Sequence, residues 1–149
     1  CGPCRAALPE LEKLAAWVKT EQLPVAVYPM NVFERTQGQE RTQAVMKALQ
    51  ELKISIPTLL DDQDKAAGAF GVRGIPMTVV IRADGIVHSQ HTGYSENYLE
   101  SLRTDIKEAI EAVKGRGKKP ADEATKHQEG EPGADPNPMP NAASSPPHA

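Results

Sequence analysis

Residues 1–17 read CGPCRAALPELEKLAAW and hold both cysteines of the chain, Cys1 and Cys4. Leu8, Leu11, Leu14, Ala15 and Val18 recur at helical spacing, which predicts an amphipathic helix over about residues 3–20. Pro9 falls inside that pattern, removes one backbone donor and is expected to kink the helix. Cys1 and Cys4, separated by Gly2 and Pro3, therefore sit on a first helical turn. Unpaired N–H groups and the positive end of the helix dipole favour a thiolate there, and the thiolate is the attacking species in disulfide exchange. Cys1, at the N-terminal edge, is placed to attack. Cys4, one turn further in, is placed to resolve the mixed disulfide by displacing the bound partner. Pro3 stiffens the turn and suits the first helical positions.

The same two cysteines admit plainer readings. A structural disulfide would normally staple distant segments and not close a four-residue loop. A zinc site needs four ligands, yet there is no second cysteine pair, and His88 and His91 fall on an expected strand without a partner pair. No metal ligand is assigned for that reason, and no cofactor is expected beyond a Cys1–Cys4 redox disulfide. A lipid attached to an N-terminal cysteine would put its acyl chain on the reacting sulfur.

Outward from the opening, "LPVAVYPMNV" (residues 23–32) is an apolar, β-branched run that predicts a buried strand. Val45, Leu49 and Leu52 place a second helix at about 38–53, "IPTLLDD" a short strand and "QDKAAGAFGV" a helical turn. "MTVVIRADGIVHSQHTG" predicts a β-hairpin about Ala83-Asp84-Gly85, where Gly accepts positive φ. Leu99, Leu102, Ile106, Ala109 and Val113 mark a last helix that stops at Gly115. The order α β α β α β β α argues for a mixed sheet covered on both faces by helices. Ile75-Pro76 directly precedes the hairpin. Proline cannot donate into a ladder, so it must begin the strand or lie at an edge, and an X-Pro bond is the one kind that readily adopts cis.

C-G-P-C opening a helix, then V-R-G-I-P before a hairpin with a D-G turn, resembles thioredoxin. The stretch "NVFERTQGQERTQAVMKALQELKISIPTLLDDQDKAAGAFGV" is similar to the extracytoplasmic thioredoxin-like reductases of the TlpA/ResA type, which carry an extra helix and a "P-x-L-L-D" strand here. The resemblance spans about residues 1–112. It implies an α/β thioredoxin fold, a mixed central sheet flanked by helices. In that family the proline matching Pro76 is cis, lies against the cysteine pair, and with the residue matching Ile75 binds extended substrate backbone. The implied activity is thiol–disulfide exchange on other proteins, with disulfide-bearing proteins and an upstream electron donor as partners, often in the bacterial periplasm or its equivalent. Gly2-Pro3 between the cysteines resembles thioredoxin, whose potential lies near about −270 mV, so a reductant is favoured over an oxidant.

Two departures accompany the resemblance. The family pattern after the second cysteine is "C-[RK]-x-E-x-P"; here Arg5 and Pro9 match, but Ala7 stands where the acid belongs and cannot accept a proton from Cys4. Family members also place a long central strand, and usually a hairpin, before the Trp-Cys that opens the helix. With Cys1 at the start, the expectation is a thioredoxin fold lacking its first strand or strands, a truncated piece whose sheet has a gap. A signal peptide or membrane anchor would lie in the preceding segment.

Composition bounds the rest. A chain of 149 residues fits one domain. It carries 17 Lys and Arg against 20 Asp and Glu, a net charge of −3, and offers no basic stripe for nucleic acid. No run approaches the ~18 apolar residues of a membrane span. A thioredoxin-like domain is expected over residues 1–114. Residues 115–149, with seven prolines, four glycines and no Val, Ile, Leu, Phe, Trp or Tyr, read as a disordered Pro-rich tail. His127 and His148 in that tail are too isolated to suggest a metal site. Competing functions are Cu(I) handling with Cys1 and Cys4 as soft ligands, for which no Met or His obviously completes a site, and a peroxiredoxin, whose P-x-x-x-T-x-x-C setting is absent. Within the oxidoreductase reading, cytochrome c maturation and general disulfide repair stand as alternative tasks.

Overall fold

Helix α1 (Gly2–Thr20) begins the chain and runs through Pro9 as one element, so the proline does not divide it. The computed structural model describes residues 1–115; apart from Gly115, the expected tail lies outside them. After α1 come strand β1 (Met30–Asn31), helix α2 (Gly38–Glu51), strand β2 (Leu59–Leu60), a 3-10 turn (Asp62–Asp64), helix α3 (Lys65–Ala69), strands β3 (Met77–Ile81) and β4 (Val87–Thr92), and helix α4 (Tyr98–Val113). This is the element order that the sequence predicts.

The strands form two pieces. β1 pairs with β2 in parallel, Met30 opposite Leu59 and Asn31 opposite Leu60. β3 and β4 form the antiparallel hairpin, turning at Gly85 with φ +82°. Arg82 brackets that turn with two hydrogen bonds to Asp84, at 3.0 and 2.6 Å. The run over 23–32 differs from expectation. Only two of its residues join a ladder, and Val25 and Val27 face the core while Ala26 and Tyr28 are exposed. Apolar residues occupy both faces of this segment, which hides from the sequence that just one of them is covered.

The core lies where α1 meets α4. Ala7 and Leu14 pack against Tyr98, Leu102 and Ile106, and Val80 of β3 joins from the hairpin. Leu102 is 1% exposed and is the largest side chain buried so completely. Trp17 of α1 lies beneath two cations of α4, Arg103 at 5.4 Å and Lys107 at 5.8 Å from the ring centroid, a geometry worth ~0.5–1 kcal/mol at an exposed site. Tyr98 also shares a 2.6 Å hydrogen bond with Thr78 of β3, so α4 ties α1 to the hairpin. Among the described residues no helix is long and apolar enough to cross a membrane.

A second, polar centre holds β1, β2 and α3. Buried Arg41 of α2 donates to the Asn31 side chain (2.8 Å), the Asn31 carbonyl (2.7 Å) and the Asp61 carbonyl (2.8 Å). The buried Asp61 carboxylate accepts the N–H groups of Ala66 (2.9 Å) and Ala67 (2.7 Å), closing the first turn of α3. Burial pushes the Asp61 carboxyl up, but those two N–H groups and the nearby Arg41 guanidinium outweigh it and hold the group below its ordinary 3.8. A carboxyl lowered on folding contributes stability above its unfolded value and loses it as pH falls through the folded one. Asp61→Asn is therefore expected to melt lower than the parent at pH 7, with the gap narrowing as both are acidified below about pH 4. Thermal melts at pH 7 and pH 3 check this; a constant gap would remove Asp61 from the account.

Candidate active site

Cys1 occupies the N-cap of α1, and Pro3 lies within the first two helical positions, where a missing N–H costs nothing. Cys1 and Cys4 form a disulfide across a Cα–Cα distance of 5.3 Å. The Cys4 N–H donates to Cys1 Sγ at 3.2 Å, and the Arg5 N–H donates to the Cys1 carbonyl at 3.2 Å. One of the helix's orphan donors is thus already aimed at sulfur. Cys1 is exposed and Cys4 half-buried. A side chain built at Gly2 would meet nothing within 4 Å, so this turn is open to an approaching molecule.

The fold brings to this turn a residue 74 positions away. The Ile75 carbonyl oxygen lies 3.8 Å from Cys1 Sγ. Ile75 is 40% exposed, and the Ile75–Pro76 peptide bond is cis. The Pro76 carbonyl accepts the Gly93 N–H at 2.8 Å, which fixes the start of β3 against the end of β4. Cys1, Cys4, Ile75 and Pro76 therefore converge, with Gly2 and Pro3 forming the turn between the sulfurs.

Ala7, in the place of the family's acid, is 3% exposed and packs with Leu14, Tyr98, Leu102 and Ile106. Of the acids further along α1, Glu10 pairs with Lys13 at 2.8 Å, and the Glu12 carboxylate accepts the Ser55 hydroxyl and the N–H groups of Ser55 (3.0 Å) and Ile56 (3.2 Å). The Ser55 hydroxyl leads in holding Glu12 below its ordinary 4.5, against a smaller upward push from burial. Glu12 is thus committed to anchoring the segment before β2.

His88 and His91 do have partners: His88 Nε2 lies 3.5 Å from Glu108 Oε2, and His91 Nε2 lies 2.5 Å from Asp105 Oδ2. Helical spacing marks Asp105 and Glu108 as neighbours on one face, but nothing in the sequence says that this face meets β4.

Residues 1–107 match the family model described as Redoxin. The thiol-disulfide oxidoreductase ResA of Halalkalibacterium halodurans is 27% identical over 108 residues, covering 72% of this chain and 57% of the relative. The chain spans little more than half the length of the curated relatives it matches. Among solved structures, the thiol:disulfide interchange protein DsbE from Chlorobium tepidum superposes with a TM-score of 0.61 at 27% identity, over 73% of this chain and 72% of that one. A thioredoxin from Neisseria meningitidis, at 18% identity, superposes with a TM-score of 0.55 over 73% of this chain and 67% of its own and bears on the fold alone. The fold is accordingly the thioredoxin-like α/β arrangement.

Ala7 supplies a test of how this site is built. An ionised carboxylate among Leu14, Tyr98, Leu102 and Ile106 would lose its solvation without a partner, so Ala7→Glu is expected to cost about 2–4 kcal/mol at pH 7. Urea denaturation measures this; an unchanged midpoint would show that the pocket still has room for the family's acid.

Proposed function

The chain belongs to the redoxin family, as a thioredoxin-like protein of the TlpA/ResA type, and on that premise we propose that it is a thiol–disulfide oxidoreductase reducing disulfides of other proteins. The observation that carries the proposal is the Cys1–Cys4 disulfide at the N-cap of α1, with Cys1 Sγ 3.8 Å from the Ile75 carbonyl oxygen. The names of the ResA and DsbE relatives support it.

The cycle starts from the dithiol. The Cys1 thiolate, stabilised by the Cys4 N–H and the helix N-terminus, attacks one sulfur of the substrate disulfide. That S–S bond breaks, a Cys1–substrate mixed disulfide forms, and the other substrate sulfur leaves as a thiolate and takes up a proton. Cys4, deprotonated in turn, attacks Cys1 Sγ, which releases the second substrate thiol and forms the Cys1–Cys4 disulfide. Two electrons pass to the substrate, and a separate dithiol donor must return them.

Ile75 and Pro76 serve as the backbone clamp. An extended substrate laid beside the start of β3 would pair its backbone there, as an added strand does, with its disulfide directed at Cys1. Pro76 keeps a second N–H away from the clamp and limits the local φ. An extracytoplasmic location, where disulfide-bearing proteins occur, fits the same reading.

Insulin-disulfide reduction tests the proposal. Cys1→Ser should abolish turnover, whereas Cys4→Ser should accumulate mixed disulfides visible by mass. Pro76→Ala should lose insulin reduction far more than reaction with a small aromatic disulfide. Wild-type turnover by Cys1→Ser would overturn the assignment, and equal losses of Pro76→Ala toward both substrates would remove the clamp.

A further inference from the structure

β4 carries one residue more than β3 at the turn end of the hairpin. Val80 pairs with Ser89 and Ile81 with Val87, which leaves His88 as the unmatched residue of a bulge. In a regular strand His88 and His91 would point to opposite faces, being an odd number of residues apart. The bulge re-aims His88, and both imidazoles meet α4. His91 Nε2 lies 2.5 Å from Asp105 Oδ2, the Ser89 hydroxyl donates to the same oxygen, and His88 Nε2 lies 3.5 Å from Glu108 Oε2, one turn further along the helix. One potential ligand atom each from His88, Asp105 and Glu108 lies within 4.8 Å of the others.

We propose that His88, Asp105 and Glu108 form a binding site for a divalent transition metal of the zinc class, with His91 and Ser89 as positioning residues that orient the Asp105 carboxylate. Ligands about 2.1 Å from a tetrahedral ion stand roughly 3.4 Å apart, and the 3.5 Å between His88 and Glu108 is already that spacing. The other two separations lie within 4.8 Å, and Glu108, whose side chain is 63% exposed, has room to adjust toward an ion. Two carboxylates balance the charge of a dication. The imidazole favours zinc, copper or nickel over magnesium and calcium, which prefer all-oxygen sites. A fourth position is left for water, as in zinc sites with three protein ligands. Metal ligands must be deprotonated, and the hydrogen bond that Asp105 Oδ2 accepts from the Ser89 hydroxyl favours its carboxylate form. Hydrogen bonds to a ligating carboxylate are the usual means of fixing its orientation. β4 and α4 contribute none of the residues of the dithiol site, so this site stands whether or not the oxidoreductase proposal does.

The test is calorimetric titration of Zn2+ into the full chain at pH 7. Cys1 and Cys4 are kept as the disulfide so that no thiol competes, and His127 and His148 are replaced by Ala. One ion should bind per chain. His88→Ala and Glu108→Gln should each weaken binding about tenfold or more, and His91→Ala, which frees Asp105, by about 10- to 100-fold. Circular dichroism verifies the fold of each variant, and Glu108→Gln, at an exposed position, keeps the test decisive if His88→Ala unfolds. Absence of Zn2+ binding, or binding unaltered in Glu108→Gln, overturns the proposal.

Discussion

The packing of α1 on α4 is the constraint on which the other features rest. Ala7 and Leu14 seat α1 against Tyr98, Leu102 and Ile106, and the same Tyr98 reaches Thr78 at the start of the hairpin. That three-way junction sets the first turn of α1 beside the Ile75-Pro76 step that leads into β3, which is why Cys1 Sγ and the Ile75 carbonyl are neighbours although 74 positions apart. A small residue at position 7 suits this role, because it lets the two helices approach closely just below the disulfide. The chemistry proposed for the dithiol is therefore inseparable from the helix–helix contact beneath it.

The carboxylate that TlpA/ResA-type proteins usually carry three residues after the second cysteine has no counterpart here, where Ala7 packs among apolar side chains, and Glu12 is spent on Ser55 and Ile56. In the proposed cycle, protons reach and leave Cys4 through solvent at the first turn, where a Cβ at Gly2 would meet nothing within 4 Å. The same helix α4 presents Asp105 and Glu108 to the bulged strand β4 on elements separate from the dithiol. One helix thus supports two centres of different chemistry.

Much of this was legible in the residues. The helical recurrence of Leu8, Leu11, Leu14 and Val18 and the Cys1–Cys4 spacing point to α1 and its reactive turn, and Asp84-Gly85 between β-branched runs marks the hairpin. Apolar residues on both faces of 23–32 concealed its one-sided burial. Nothing in the sequence marks Arg41 and Asp61 as buried, since the carbonyls and N–H groups that satisfy them belong to segments whose shape local sequence does not specify. The facing of His88 toward α4 is hidden for a similar reason: a bulge shifts the alternation of a strand by one, and no residue type announces it.

Competition between the two thiols measures the central claim most directly. The reduced chain is treated with less than one equivalent of iodoacetamide at neutral pH, and the label is located by peptide mass spectrometry. The exposed, N-capping Cys1 is predicted to take nearly all of it, leaving half-buried Cys4 unmodified. Equal labelling, or label chiefly on Cys4, would contradict the placement of the attacking sulfur at the first turn of α1.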